Sequence, residues 1–310
     1  MNGFLANTDY DWYAFLEARR DLEEVNFWQP SGGRAFRALA PGEPLLFKLK
    51  SPHNAIGGFG HFVRHSVLPA WLAWDAFEET NGAPDFDTMR KRIEHYRRKR
   101  PRDPSASYPV GCLVLAEPVF FPSDLWVPQP SNWPVHAVQG KTYDLARGEG
   151  RRVWEACLAA ARSVRDLLHL PVGRDEQPRY GEPVLVKPRL GQGTFRIVVT
   201  ESYRRACAVS SEHSLPALEA AHIKPYAEGG EHRIGNGILL RSDIHRLFDK
   251  GYVTVTPERR IEVSRRLKQD FENGHSYYPF HGNEISAPAE RADLPDADML
   301  RWHNENRFLA

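Results

Sequence analysis

His222, Asn236 and His245 are separated by 14 and 9 residues, and Asp249 lies four positions beyond His245. Leu218–Ile223 is strand-like, which puts His222 at a strand end, and Lys224 to Gly230 reads as a loop with a Gly-Gly turn. Gly237–Leu240 is a second strand with Asn236 at its entrance. Ser242 and Asp243 predict the cap and first turn of a helix over 243–249, ended by Gly251. On that helix His245 and Asp249 are i and i+4, so both project from one face. An imidazole and a carboxylate placed together make half a site for a divalent cation. If the helix packs across the hairpin, His222 points into the same space. The chemistry such a set suits is phosphodiester hydrolysis. The cation neutralises charge on the scissile phosphate and stabilises the leaving 3′ oxygen. A neutral imidazole at 222 takes a proton from the attacking water. Asn236 fixes the loop and orients the His222 ring through a hydrogen bond.

The stretch LEAAHIKPYAEGGEHRIGNGILLRSDIHRLFDKGYVTV, residues 218–255, resembles the ββα-metal fold of HNH endonucleases. His222, Asn236 and His245 stand at the three letters of that motif. The preceding stretch from Arg189 to Ser210 resembles the lead-in of modification-dependent HNH restriction enzymes. The resemblance implies His222 as general base, Asn236 as its positioning residue and His245 as a metal ligand. Asp249 falls where related nucleases can place a further ligand, and Mg²⁺ or Mn²⁺ is the implied cofactor. One position departs from the pattern. Many HNH enzymes carry Asp or His immediately before the first motif histidine, and here that residue is Ala221. The metal would then lean on His245, Asp249, waters and the phosphate. The region lacks CxxC pairs, so no structural zinc is expected. His213, His232, His275 and His303 read as structural or exposed residues, and Cys207 as core.

These elements occupy only the C-terminal third of the chain. Ahead of them Trp28, Trp71, Trp74, Trp126 and Trp133 all fall in the first 145 residues. Trp71 and Trp74 are three apart on a predicted helix and read as core. Trp126 and Trp133 sit in proline-rich loop sequence, where a large aromatic is harder to explain by packing. Domains that read an extruded base stack it between aromatics and hydrogen-bond its edge. The segments VNFWQPSGG, IGGFGHF and YPVGCLVLAEPVFF resemble the PUA-like superfamily and, within it, the EVE domains fused to HNH nucleases. That family, with its SRA and YTH relatives, implies a modified-base pocket, for which Trp28, Trp126 and Trp133 are the candidates.

The charge layout fits a polyanion partner. The formal net charge is only +1, but from Lys187 to Lys268 there are 15 Lys/Arg against 9 Asp/Glu, and beyond that 3 against 8. A run from Arg90 to Arg102 holds eight basic residues and one acid, Glu94. Arg97, Arg98, Arg100, Arg189 and Arg241 are expected on the DNA backbone; a solvated helix face is the other reading of such a run.

The chain has 310 residues, 41% hydrophobic and 26% charged, the balance of an ordinary globular protein of two domains. No uncharged apolar run is long enough to span a membrane. Three scattered cysteines argue against a disulfide framework, and with no signal-peptide pattern the expectation is cytoplasmic. The fold class expected is α+β. A PUA-like, EVE/SRA/YTH-related, β-barrel-like domain spans 1–147. A helical connector and proline-rich linker follow over 148–188, and the HNH ββα-metal domain with a C-terminal extension spans 189–310. The stripe Val153, Trp154, Cys157, Leu158, Ala161, Val164, Leu167 and Leu168 predicts one amphipathic helix, the connector, which would also serve a homodimer contact. The function expected is cleavage of double-stranded DNA at modified cytosine, 5-hydroxymethylcytosine or 5-methylcytosine. Two alternatives stand beside it: an HNH nuclease or nickase indifferent to modification, and a non-catalytic nucleic-acid-binding protein.

Overall fold

The computed structural model describes the chain apart from residues 20, 34, 98–104, 135 and 168–190. It divides into two compact units, Met1–Arg189 and Leu190–Ala310.

Unit 1 runs β1 (Asn2–Thr8), α1 (Tyr10–Glu17), β2 (Glu24–Gln29), β3 (Pro44–Leu49), β4 (Ala55–Pro69), α2 (Ala70–Phe77), α3 (Phe86–Tyr96), β5 (Pro109–Phe120), β6 (Val127–Pro128), β7 (Gly140–Asp144) and α4 (Gly148–Leu167). Its sheet has the order β2-β5-β4-β3-β1-β7, with β6 added on the start of β4. Only β1 and β3 are parallel; the other pairs are antiparallel. The apolar runs PLLFKL and VGCLVL are buried nearly throughout, as strands covered on both faces should be. Irregular register at Phe59/His61 and Phe62/Arg64 bends the long β4 across β5. Gly58 makes the close approach possible: it sits at φ +155°, and a Cβ there would lie 2.1 Å from the Val119 carbonyl oxygen.

Two expectations change here. Among the described residues β2 and β7 each pair on one side only, so the sheet is open and the β-barrel-like closure is not found. The apolar face that a barrel would close with its own strands is instead covered by α4. Val153, Trp154, Cys157, Leu158 and Ala161 pack into one core with Leu5, Leu46, Ile56, Phe59 and Phe121. The helix read as a connector therefore belongs to the first unit through residue 164, and the proline-rich linker lies outside the described residues.

Unit 2 runs α5 (Gln192–Ser202), β8 (Leu218–His222), β9 (Gly237–Arg241), α6 (Ser242–Asp249), β10 (Val253–Val255), β11 (Ile261–Val263), α7 (Arg266–Phe271) and α8 (Ala297–Asn306). β8 and β9 pair antiparallel, with His222 opposite Gly237 and Leu218 opposite Arg241. Ile244 and Phe248 bury one side of α6 in a core shared with Phe195, Val199, Ala221, Ile238, Leu239 and Leu300. The hairpin and the helix packed on it form the ββα unit. Among the described residues no helix is long and apolar enough to cross a membrane.

Candidate active site

His222, Tyr226, His245, Asp249, His303 and Arg307 line one cavity of about 360 Å³ in unit 2. His222 is placed there because β8 ends on it and because its ring lies flat on Phe195, with centroids 3.8 Å apart and planes 12° off parallel. Its Nε2 shares a hydrogen bond of 2.9 Å with Nδ1 of His232. His232 in turn stacks on Tyr226 at 4.6 Å. Burial, with the charges of His232 and His245 adding to it, pushes the His222 pKa down to about 4. At neutral pH the ring is therefore uncharged, the state a general base requires.

Asn236 is fully buried and ties the loop between the strands. Its Oδ1 accepts from the Lys224 N–H at 2.9 Å, and its Nδ2 donates to the carbonyls of Lys224 and Glu231 at 2.9 and 3.0 Å. The Ile223 N–H donates to the Asn236 carbonyl at 2.9 Å. Gly230 is required by this strap, since a Cβ there would lie 1.9 Å from the Lys224 carbonyl oxygen. The hydrogen bond expected from Asn236 to the His222 ring is not present. All the side-chain valences of Asn236 go to backbone, and the residue that fixes the ring is His232, which the sequence had assigned to structure.

On α6, Nε2 of His245 lies 3.5 Å from Oδ2 of Asp249, and Nδ1 lies 2.6 Å from Oε2 of Glu219. Glu219 stands on β8 two residues before Ala221, on the same strand face. Ala221 itself is fully buried in the core, where a carboxylate would be desolvated. The carboxylate that serves the helix histidine thus comes from one step back along the strand. A histidine whose Nδ1–H is held by a carboxylate presents Nε2 to a metal in a fixed orientation. Two donors about 2.1 Å from one ion sit roughly 3–4 Å apart, so His245 and Asp249 fit a shared cation. Among the described residues no group of three or more His, Cys, Asp or Glu is arranged for a metal. The fit is therefore to an ion held by two side chains, with water and substrate oxygens completing its shell, the mode in which Mg²⁺ usually binds.

His303 supports the floor of this site. It is 2% exposed, stacks on Phe248 of α6 at 3.7 Å, and bonds the Phe248 carbonyl at 3.1 Å and the Thr254 hydroxyl at 2.7 Å. Burial, partly opposed by the Phe248 bond and reinforced by Arg307, pushes its pKa down to about 4. The unfolded chain takes up a proton at His303 near pH 6.5, which the folded chain does not until about 4. Stability is thus expected to be level above pH 6.5 and to fall as the pH drops toward 4. Melting temperatures measured from pH 7.5 to 4.5 check this, and His303→Gln should lessen the acid limb, the part that remains belonging to His222, whose pKa is lowered in the same way. An acid limb in His303→Gln as steep as in wild type would mean that His303 is not held neutral by the fold.

The remaining candidates are used differently from expectation. Nε and Nη2 of Arg241 pair with both oxygens of Asp243 at 2.6 and 2.8 Å. Nη1 of Arg97 donates to the carbonyls of Pro30 and Pro109 at 2.5 and 3.1 Å, and its guanidinium lies over Tyr108. Its work is to tie loops. Arg98, Arg100 and Arg189 lie outside the described residues. The three pocket tryptophans are not brought together. Trp126 donates to the Tyr13 hydroxyl and Phe121 carbonyl at 2.9 and 3.1 Å, and Trp133 packs partly buried against the α4 core. Trp28 alone of the three lines the large cavity of unit 1, about 690 Å³, together with Phe4, Trp12, Phe27, Asp9 and Lys50. The Asp9 carboxylate there accepts from Lys50 and, at 2.8 Å, from the Tyr96 hydroxyl. Cys207 is core, its Sγ accepting from the Ser210 and Arg241 N–H groups.

Residues 207–256 match the family HNH_2, described as HNH endonuclease. The chain carries an HNH endonuclease domain. That domain is of the endonuclease class, which hydrolyses phosphodiester bonds. Among solved structures the chain is similar to a modification dependent TagI restriction endonuclease, at 14% identity over 94% of this chain and 79% of that one, with a TM-score of 0.27. A likeness that loose fixes the fold of neither unit. A search of curated proteins gives no match. The HNH match spans the hairpin, α6 and β10, and so contains His222, Asn236 and His245 together with Glu219, His232 and Asp249. Phe195, His303 and Arg307, which complete the cavity and its walls, lie outside it.

Proposed function

We propose that this enzyme is a modification-dependent endonuclease. Unit 1 reads 5-hydroxymethylcytosine or 5-methylcytosine extruded from duplex DNA, and the HNH domain hydrolyses the backbone with Mg²⁺ or Mn²⁺. In the HNH domain neutral His222 receives the proton of the attacking water, with His232 holding its ring. His245 and Asp249 hold the metal, which supplies charge neutralisation at the scissile phosphate and the leaving oxygen. Glu219 keeps His245 turned toward it. Asn236 keeps the loop in the shape that leaves His222 facing the cavity.

The observation that supports reading by unit 1 is its cavity. At about 690 Å³ it is of the size that encloses a whole small ligand, and it is walled by aromatics with a few polar groups. Such walls suit a stacked base. The Asp9 carboxylate supplies the acceptor that the exocyclic amine of cytosine calls for. Burial works against the Lys50 charge, but the Asp9 and Tyr96 contacts more than offset it and raise the Lys50 pKa, so Lys50 stays charged. A PUA-like, EVE-type identity for unit 1 remains part of this proposal.

The test is a digest panel of one DNA prepared with cytosine, 5-methylcytosine, 5-hydroxymethylcytosine and its glucosylated form. Cleavage confined to modified DNA supports the reading; equal cleavage of all four leaves an HNH nuclease indifferent to modification. Within the cavity, Trp28→Ala is expected to reduce discrimination between modified and unmodified duplexes by roughly 5- to 150-fold, the worth of one base–aromatic stack at ~1–3 kcal/mol. Trp126→Ala and Trp133→Ala should leave discrimination within a few-fold. Binding of matched duplexes to each variant measures this, and full discrimination by a folded Trp28→Ala protein would move the base site elsewhere.

A further inference from the structure

The family match stops at residue 256, yet the catalytic cavity has a cation from much further along the chain. Arg307 follows α8 and lines the same space as His222, His245 and Asp249. Its backbone is anchored twice. The Arg307 N–H donates to the His303 carbonyl at 2.9 Å, and the Leu309 N–H donates to the Gly251 carbonyl at 2.9 Å. Gly251, at φ +78°, terminates α6, and a Cβ there would lie 2.0 Å from the Arg307 carbonyl oxygen. The tail is thus seated directly on the end of the helix that carries the metal ligands. The guanidinium reaches across to the Glu228 carboxylate on the loop after β8. Both partners are part-exposed, 38% and 40%, so water and a substrate anion can reach the pair.

We infer that Arg307 is a phosphate-contacting residue of the nuclease, and that Glu228 occupies its guanidinium until a DNA phosphate takes that place. Three features point this way. Among the residues that line the cavity Arg307 is the one lysine or arginine, while the substrate group that must sit there is an anion. Arginine presents a planar fork that matches a phosphate with two hydrogen bonds. The surrounding contacts hold the tail to the catalytic loop independently of this ion pair: Arg233 pairs with Asp296 at 2.9 Å, the Asp296 N–H donates to the Gly235 carbonyl at 2.8 Å, and Lys224 lies over the Trp302 ring at 5.4 Å. The Arg307–Glu228 contact is therefore not needed as the fastening, and exposed ion pairs of this kind contribute little to stability. In hydrolysis the phosphoryl oxygens gain charge as the water attacks, and a cation fixed beside them stabilises that state more than the ground state.

The inference rests on the nuclease assignment, and the experiment keeps the two apart because wild-type cleavage is its reference. Single-turnover cleavage, DNA affinity without metal and melting temperature are measured for Arg307→Ala, Arg307→Lys and Glu228→Gln. Arg307→Ala is expected to lower the cleavage rate on the order of 10- to 100-fold, less than the loss for a fully buried oxyanion donor, at an unchanged melting temperature. Arg307→Lys, which keeps charge and loses the fork, should recover part of that rate. Glu228→Gln should cleave at least as fast as wild type, since the guanidinium no longer has an internal competitor. The inference fails if Arg307→Ala cleaves within about twofold of wild type, or if Glu228→Gln loses as much activity as Arg307→Ala, the result for a mere fastening. Should Arg307→Ala not fold, the opposite responses of Arg307→Lys and Glu228→Gln carry the test. An inactive wild type would overturn the nuclease assignment instead.

Discussion

His222→Ala is expected to reduce strand cleavage roughly 10³-fold or more while leaving DNA affinity within a few-fold, at the upper range of general-base contributions. The ring is a neutral imidazole held from both sides, by Phe195 beneath it and His232 at Nε2, whereas His303, also neutral, has both ring nitrogens bonded within the fold. No phosphate contact is lost with it, so binding should persist. His232→Ala separates holding from proton transfer. It removes the partner but leaves the base, and a loss of about 10- to 100-fold is expected, the usual effect of deleting an orienting residue. Single-turnover rates and affinity for the same uncleaved duplex make the comparison. Near-normal cleavage by His222→Ala would end its assignment as the base.

The second large effect concerns the metal. His245→Ala should abolish cleavage at ordinary Mg²⁺ or Mn²⁺ concentrations, because one of the two proposed protein donors is gone. Asp249→Ala should be milder and partly rescued by excess Mn²⁺, since a carboxylate on a solvent-exposed helix end is replaceable by water. Glu219→Gln should raise the Mn²⁺ requirement on the order of 10-fold without removing a ligand, because the amide cannot hold the His245 ring with a charge-assisted bond of 2.6 Å. Cleavage against Mn²⁺ concentration and Mn²⁺ binding by calorimetry give the order His245, Asp249, Glu219. If Asp249→Ala needs no more Mn²⁺ than wild type, Asp249 is a helix residue and His245 alone remains a ligand.

What the sequence conveyed about this site was local. His222 at a strand end, Asn236 at the entrance of the next strand and His245 with Asp249 on one helix face follow from spacings of a few residues, and the structure has those elements within a residue or two. What it did not convey depends on tertiary packing. His232 is one histidine among 13 until the Asn236 strap folds its loop back onto His222. Glu219 becomes visible only once α6 is laid across β8, although a carboxylate two residues before the vacant ligand position was a usable signal. Arg307 is 58 residues beyond Asp249, in a tail whose net acidity suggested no role at a phosphate site. In unit 1 the apolar runs PLLFKL and VGCLVL are the signal of two buried strands, β3 and β5. The unit 1 cavity was not legible, because its walls come from β1, β2, α1 and α3, and of its two tryptophans Trp28 was ranked with two others that serve as packing while Trp12 was passed over.

The strand order of unit 1 also sets a timetable for its synthesis. β1 lies between β3 and β7, with Gly3 opposite Tyr143, and among the described residues β2 pairs only with β5, about 85 residues further on. At ~5–20 residues per second the first strand would wait roughly 7–30 s for its second neighbour to leave the ribosome. Throughout that interval an apolar strand has an unsatisfied edge, the condition under which nascent chains aggregate or recruit chaperones. Unit 2 faces no such delay over its catalytic elements, because β8, β9, α6 and β10 each meet a neighbour in sequence. The two halves should therefore differ in how they respond to faster translation or to loss of chaperones, with unit 1 failing first while the nuclease half still assembles.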